Sequence, residues 1–167
     1  VIDIVALYDK PEFSIKEADI LLSNVSKQLY NNYNLIIICD RDIESDFKGF
    51  VKSKGYLDAE IIPIKLFNRE NNIIIGWGKI IMEIIDKLKG QYLALISTGQ
   101  LWFRDHLAKL AFVLESNKEL DIVYSGYFIY GRGSNDLPLA RRLVHEKIQD
   151  DNFNSSPVST MLITPYY

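Results

Sequence analysis

Short apolar runs that do not alternate, each followed by a stripe of apolar residues at helical spacing, constrain this chain more than any other feature. Ile2 to Leu7, Leu35 to Cys39 and Tyr92 to Ile96 are apolar at nearly every position, as expected for strands covered on both faces. Ile61 to Phe67 reads as a further strand, with Pro63 marking it as an edge or irregular one. Between these runs the period changes. Ser14 and Glu17 form a capping box ahead of Ala18, Leu21, Leu22, Val25 and Leu29. Ile43, Phe47, Phe50 and Val51 mark a second helix that Gly55 can close, and Ile80, Ile81, Ile84, Ile85 and Leu88 mark a third, stopped by Gly90. Leu107, Leu110, Ala111 and Leu114 give a fourth, after which Ile122 to Tyr130 supplies a longer strand. This alternation predicts an α/β domain with a mainly parallel sheet, because each helix must return the chain to the same sheet.

From Gly131 the alternation breaks. Gly131, Gly133, Ser134, Asn135 and Pro138 predict a loop, Arg141 to Lys147 a short helix, and Val158 to Ile163 a last strand. With 167 residues, 48% of them hydrophobic, the chain can fill one core. A net charge of -3 exerts no pull toward nucleic acid, which is not expected as a partner. No apolar run approaches the length of a membrane span. The single cysteine, Cys39, cannot form an internal disulfide and reads as a small buried residue; no Cys/His cluster has zinc-like spacing. These features fit a reducing compartment, and the cytoplasm is the expected location. Solvated or capping roles are expected for His106 and His145. Val1 lies in a strand-like run without an initiator Met, and no closing helix precedes Tyr167, so the chain reads as a piece of a longer protein.

In open parallel sheets, ligands bind beyond the carboxyl ends of the strands. That rule selects Tyr8 and Asp9, Asp40 to Asp42, Asn68 and Arg69, and Ser97 to Gln100. Asp42 and Ser97 read as turn and cap residues. Asp40 ends a buried run, so its carboxylate could accept a hydrogen bond from a base N–H or a ribose hydroxyl, or could cap the next helix. Both readings stay open. Gly76-Trp77-Gly78 precedes a helix, and its N–H groups with Lys79 could face a diphosphate, although such turns are common and Trp77 is suited to packing. Gly131-Arg132-Gly133 lacks the third glycine of a dinucleotide fingerprint, and Ser125-Gly126 does not sit in a nucleophile elbow.

Several segments together resemble bacterial glycosyltransferases of family 2 in order and spacing, from Ile2 to about Ile163. They are Ile20 through Gln28, Tyr30 and Asn31 to LIIICDRD, then Gly76 ahead of the third helix, GQYLALI, and LWFRDHLAKLAFVLESNKELDIVYSGY. The resemblance implies a GT-A fold, a Rossmann-like and mainly parallel sheet with helices on both faces. It implies one nucleotide-sugar-binding domain over residues 1–167 that lacks its C-terminal acceptor part. The implied activity is inverting transfer of a sugar from a nucleotide-diphosphate sugar, a UDP-sugar favoured, to a polysaccharide or glycolipid acceptor in cell-surface glycan synthesis. Donor-binding roles then fall to Ala6, Tyr8 and Asp40 on the first two strands. Gly76 and Lys79 join them at the third helix, as do Ser97, Thr98, Gly99 and Gln100 at the fourth strand's end. Ser156 and Thr160 correspond to the acceptor side.

Departures from the pattern shape the expectation. Cys39 replaces the first of a pair of acids, and Ile81-Met82 stands where Arg-Asn is frequent. Where the family places Asp-x-Asp, this chain has Ser97-Thr98-Gly99, so no metal ligand is assigned and Mn²⁺ or Mg²⁺ lacks its usual carboxylate. The catalytic base is expected beyond Tyr167, which leaves catalytic residues unassigned. A non-catalytic domain that binds a sugar, a nucleotide or a partner transferase as a scaffold is the alternative. A nucleotidyltransferase finds no Gly-rich phosphate loop in support. Peripheral membrane association through missing parts and oligomerisation are both compatible with the resemblance. Asp40→Ala is expected to abolish UDP binding while leaving the unliganded melt nearly unchanged.

Overall fold

In the computed structural model, which describes residues 1–56, 58–68, 73–124, 127–132, 138–144 and 161–163, strand β1 (Ile2–Leu7) is hydrogen-bonded along both edges. On one side lies β2 (Tyr33–Asp40), on the other β6 (Tyr92–Ser97), and both run parallel to it. β3 (Glu60–Ile64) extends the sheet beyond β2, also in parallel. β7 (Ile122–Tyr124) and β10 (Met161–Ile163) complete it in the order β3-β2-β1-β6-β10-β7, with β10 antiparallel to both neighbours. The fold is therefore α/β with a mainly parallel sheet, as the apolar runs predict. Pro63 sits on an edge strand, where its missing N–H costs no ladder bond.

Both faces of the sheet are covered. Ile2, Ile4, Ala6 and Tyr8 share one core with α1 (Ile15–Ser26), α2 (Glu44–Lys54) and α4 (His106–Ser116). Val5 and Leu7 share a second core with Ile80 and Ile84 of α3 (Trp77–Ile84). This two-sided burial is why the strands show no polar alternation. Ser14 Oγ accepts from the Glu17 N–H, and Gly55 closes α2 at a φ of 78°.

Several expected boundaries move. Leu29 lies past the end of α1 and is exposed, because its N–H turns to the Arg104 carbonyl instead of the helix. The expected strand Ile61 to Phe67 divides: after Ile64 the chain leaves the sheet and forms a small antiparallel pair, β4 (Phe67–Asn68) with β5 (Ile73–Ile74). The expected strand Ile122 to Tyr130 divides too, into β7 and β8 (Tyr127–Arg132). Arg141 to Val144 is not helical. It belongs to β9 (Pro138–Val144), which pairs antiparallel with β8. Cross-strand pairing here overrides local helix propensity. Residues 145–147 of that expected helix and 158–160 of the expected last strand lie outside the described residues.

Gly90 does not stop α3, which ends at Ile84 and tightens into a 3-10 turn at Ile85–Lys87. Its role is close approach. A Cβ at Gly90 would stand 2.7 Å from the Asp3 backbone nitrogen. Asp3 is 1% exposed inside β1, and its Oδ2 accepts from the N–H groups of Lys89 and Gly90, both at 2.6 Å. Its Oδ1 accepts from Asn34 Nδ2 at 2.7 Å, so one carboxylate ties β2 and the entry to β6 onto β1.

A second junction holds the loop between β6 and α4 against α1. Asn24 Oδ1 accepts from the Trp102 N–H, Gln28 Nε2 donates to the Phe103 carbonyl, and Gln28 Oε1 accepts from the Leu107 N–H. His106, expected to be solvated or capping, is instead buried and stacked on Trp102 with ring centroids 5.0 Å apart. Burial lowers its pKa from 6.5 to about 4, with the Asp105 charge opposing in part.

Asp3→Ala should cost about 3 kcal/mol of unfolding free energy, because it strands buried donors, and urea denaturation reads it directly. His106 binds its proton more readily in the unfolded chain, so its contribution is complete above pH 6.5 and is lost as pH falls toward about 4. Denaturation series across that window should show stability falling by roughly 1.4 kcal/mol per pH unit, a slope His106→Phe removes.

Candidate functional site

The strand order reverses direction at one place. From β1 the chain builds outward through β2 to β3, then returns to the other side of β1 as β6. The carboxyl ends of β1 and β6 therefore lie side by side at this switch point, where the building direction changes, the position at which α/β sheets take ligands. Leu7 lies opposite Ile38 on one side and Ser97 on the other. Continuing that register, Asp9, Asp40 and Gly99 leave their strands at one level.

The turn after β6 closes tightly. The Gln100 N–H donates to the Ser97 carbonyl at 3.2 Å, and Gly99 at the third position has a φ of 84°, as a type II turn requires. Gln100 Oε1 accepts from both the Ser97 N–H (2.6 Å) and Ser97 Oγ (2.8 Å), so these two side chains satisfy each other. Thr98 stitches the turn to β1. Its N–H donates to the Leu7 carbonyl at 3.1 Å, and its Oγ1 accepts from the Asp9 N–H at 3.3 Å. Nothing lies within 4 Å of the position a Gly99 Cβ would take, so space beside the turn is open.

Asp40 is 6% exposed and heavily engaged. Oδ1 accepts from the Asp42 N–H at 3.0 Å, capping the turn Arg41–Ile43, while Oδ2 accepts from the N–H groups of Leu66 (3.0 Å) and Phe67 (3.3 Å). The capping reading is thus realised, and the carboxylate also fixes the chain leaving β3. Leu66 in turn accepts from the Ile75 N–H, one residue before Gly76, which begins α3 without a side-chain cap. Asp40, Gly76 and Lys79 are linked by this path, and Gly76 and Lys79 are exposed.

Ala6 and Tyr8 are brought elsewhere. Both are fully buried on the face covered by α1, α2 and α4. The Tyr8 ring packs edge-on against Phe47 at 5.0 Å, and its hydroxyl accepts from the Ser14 N–H (2.8 Å) while donating to the Glu12 carbonyl (3.1 Å). Tyr8 therefore holds the loop that follows β1. Cys39 is buried on the same face, and desolvation first, then the Glu44 and Asp40 charges, pushes its thiol up to about 12, which removes it as a nucleophile at neutral pH. Ser156, Thr160 and Arg69 lie outside the described residues.

Two residues do more than their sequence context suggests. Asp9 stands at a strand end, and Asp3 lies inside an apolar run. The signal for Asp3 is an acid inside an otherwise apolar buried strand, which must find donors. Among the described residues no group of three His, Cys, Asp or Glu could hold a metal ion, and no helix is long and apolar enough to cross a membrane.

Comparison with known proteins gives likenesses of two kinds. No family model matches the chain. It is 25% identical over 132 residues to an uncharacterized glycosyltransferase of Methanocaldococcus jannaschii, covering 78% of this chain and 43% of that protein. Crystal structures of S. aureus TarS residues 1–349 in complex with UDP and with UDP-GlcNAc share its fold, each with a TM-score of 0.58. Their identities are 13% and 15%, with 79% of this chain and 37% and 36% of theirs covered. The chain thus spans less than half the length of each of these proteins. The likeness to TarS is one of fold, α/β with a mainly parallel sheet.

Proposed function

We propose that this is the nucleotide-binding part of a family 2 glycosyltransferase. It would bind a nucleotide-diphosphate sugar, a UDP-sugar favoured, at the switch point between β1 and β6. The observation that carries this reading is the topology, which ends β1 and β6 side by side at the change of building direction, with the Ser97–Gln100 turn at that rim. The fold shared with TarS crystallised with UDP and UDP-GlcNAc supports the same class of ligand. The exposed start of α3 at Gly76 has no side-chain cap, and with Lys79 in its first turn it offers a helix N-terminus and positive charge suited to a diphosphate. The full protein would carry out inverting transfer to a polysaccharide or glycolipid acceptor in the bacterial cytoplasm. Ser156 and Thr160 would lie on the acceptor side.

The residues at the turn do not fit the divalent cation that family 2 implies. Gly99 has no side chain, and Ser97 Oγ is already bonded to Gln100. Binding is therefore assigned to hydrogen bonds and fixed positive groups, with no step through a metal. The same turn favours the second reading, a catalytically inactive domain that keeps the nucleotide site as a scaffold, because neutral groups stabilise a leaving diphosphate less than a cation does.

Thermal unfolding separates the readings. UDP should raise the melting temperature, and Mn²⁺ should not change that shift. If UDP, GDP, CMP and their sugars all leave the melt unmoved, nucleotide binding is wrong. Asp40→Ala requires a revised expectation. Removing an acceptor that serves three backbone N–H groups should lower unliganded stability by about 2 to 4 kcal/mol, in place of the nearly unchanged melt expected from sequence.

A further inference from the structure

Three large apolar side chains stand along one seam of the surface. Leu29, Leu101 and Phe103 are 61%, 69% and 66% exposed. The hydrogen bonds that tie the loop after β6 to α1 hold all three in place. Asn24 accepts from the Trp102 N–H, Gln28 donates to the Phe103 carbonyl, and the Leu29 N–H donates to the Arg104 carbonyl at 2.8 Å. Leu101 and Phe103 flank the buried Trp102, so the residue that anchors the loop leaves its two neighbours outside the core. Single apolar residues on a surface are ordinary, but a group fixed along one rigid seam marks a docking surface.

The charges around the seam select what docks. Lys16, Ile20 and Lys27 recur at helical spacing and line one exposed face of α1, beside the residues that hold the loop. Arg104, at the loop's far end, is exposed as well. Among the described residues none of these three cations takes part in an ion pair. No acid occurs from Ile20 to Cys39 or from Ser97 to Arg104, and Asp105, the next residue, is bonded to Lys109 at 2.6 Å. In a chain whose net charge is -3, positive charge is thus set apart around the apolar groups. Apolar prongs among unpaired cations match an anionic bilayer, whose hydrocarbon boundary takes the prongs while its headgroup phosphates take the ammonium and guanidinium groups.

We infer that this seam rests on the surface of an anionic lipid bilayer, with Leu101 and Phe103 inserted at headgroup level. The inference does not depend on nucleotide binding.

Vesicle flotation tests it, with one set made of equal parts phosphatidylglycerol and phosphatidylcholine and another of phosphatidylcholine alone. The protein should float with the anionic set, bind the neutral set about tenfold more weakly or less, and be released from the anionic set by salt. Leu101→Ser combined with Phe103→Ser should weaken binding about tenfold or more, and Lys27→Glu combined with Arg104→Glu should abolish the preference for anionic lipid. All four side chains are exposed, so both variants should melt as wild type does. Met82→Ser, at a residue 71% exposed on α3, is the control and should bind like wild type. No binding of wild type to the anionic vesicles would overturn the inference, as would binding unchanged in either paired variant or lost equally in Met82→Ser. A wild-type dimer in sedimentation that Leu101→Ser with Phe103→Ser dissolves would also overturn it, since the seam would then join two copies of the chain.

Discussion

β1 carries a parallel ladder on each edge, and this one arrangement dictates most of what surrounds it. A strand paired in parallel on both sides cannot be reached by hairpins, so the chain must cross over through helices. Those helices cover both faces, which makes β1, β2 and β6 apolar along most of their length and obliges Asp3, the acid inside β1, to find donors. Because the chain extends first to one side of β1 and then to the other, the carboxyl ends of β1 and β6 become neighbours. The candidate site is a consequence of topology before it is a consequence of any particular side chain.

The two ends of the sheet use their polar groups differently. At the amino end, Asp3 satisfies two backbone N–H groups and Asn34 at once, and Gly90 is required for that contact. This end is finished. At the carboxyl end, Asp40 is equally committed, Tyr8 is spent on the loop after β1, and Ser97 and Gln100 neutralise each other. What remains there is open space at Gly99, an unpaired oxygen on Asp9 and the uncapped start of α3. Among the described residues, the one buried side-chain oxygen without a partner lies at this rim.

Much of the fold was legible because its signals are local. The capping box at Ser14, the left-handed closure at Gly55 and the mostly apolar runs at Ile2–Leu7 and Tyr92–Ile96 each depend on nearby sequence. The misread segments depend on partners far away. Arg141–Val144 is a strand because β8 pairs with it, and Leu66–Phe67 leaves the sheet because the Asp40 carboxylate holds its N–H groups. The site was legible in outline only. Strand ends could be located, but whether a side chain there faces a helix or the crevice depends on register, which placed Tyr8 and Ala6 in the core and left Asp9 at the switch point.

The central claim is that a nucleotide occupies the carboxyl rim between β1 and β6, and amide hydrogen exchange with and without UDP tests it most directly. Bound UDP should slow exchange at Leu7 to Lys10, at Leu66 and Phe67, and at Ser97 to Leu101, while Asn34, Lys89 and Gly90 at the opposite rim exchange as before. Protection confined to that opposite rim, or to neither, would contradict it.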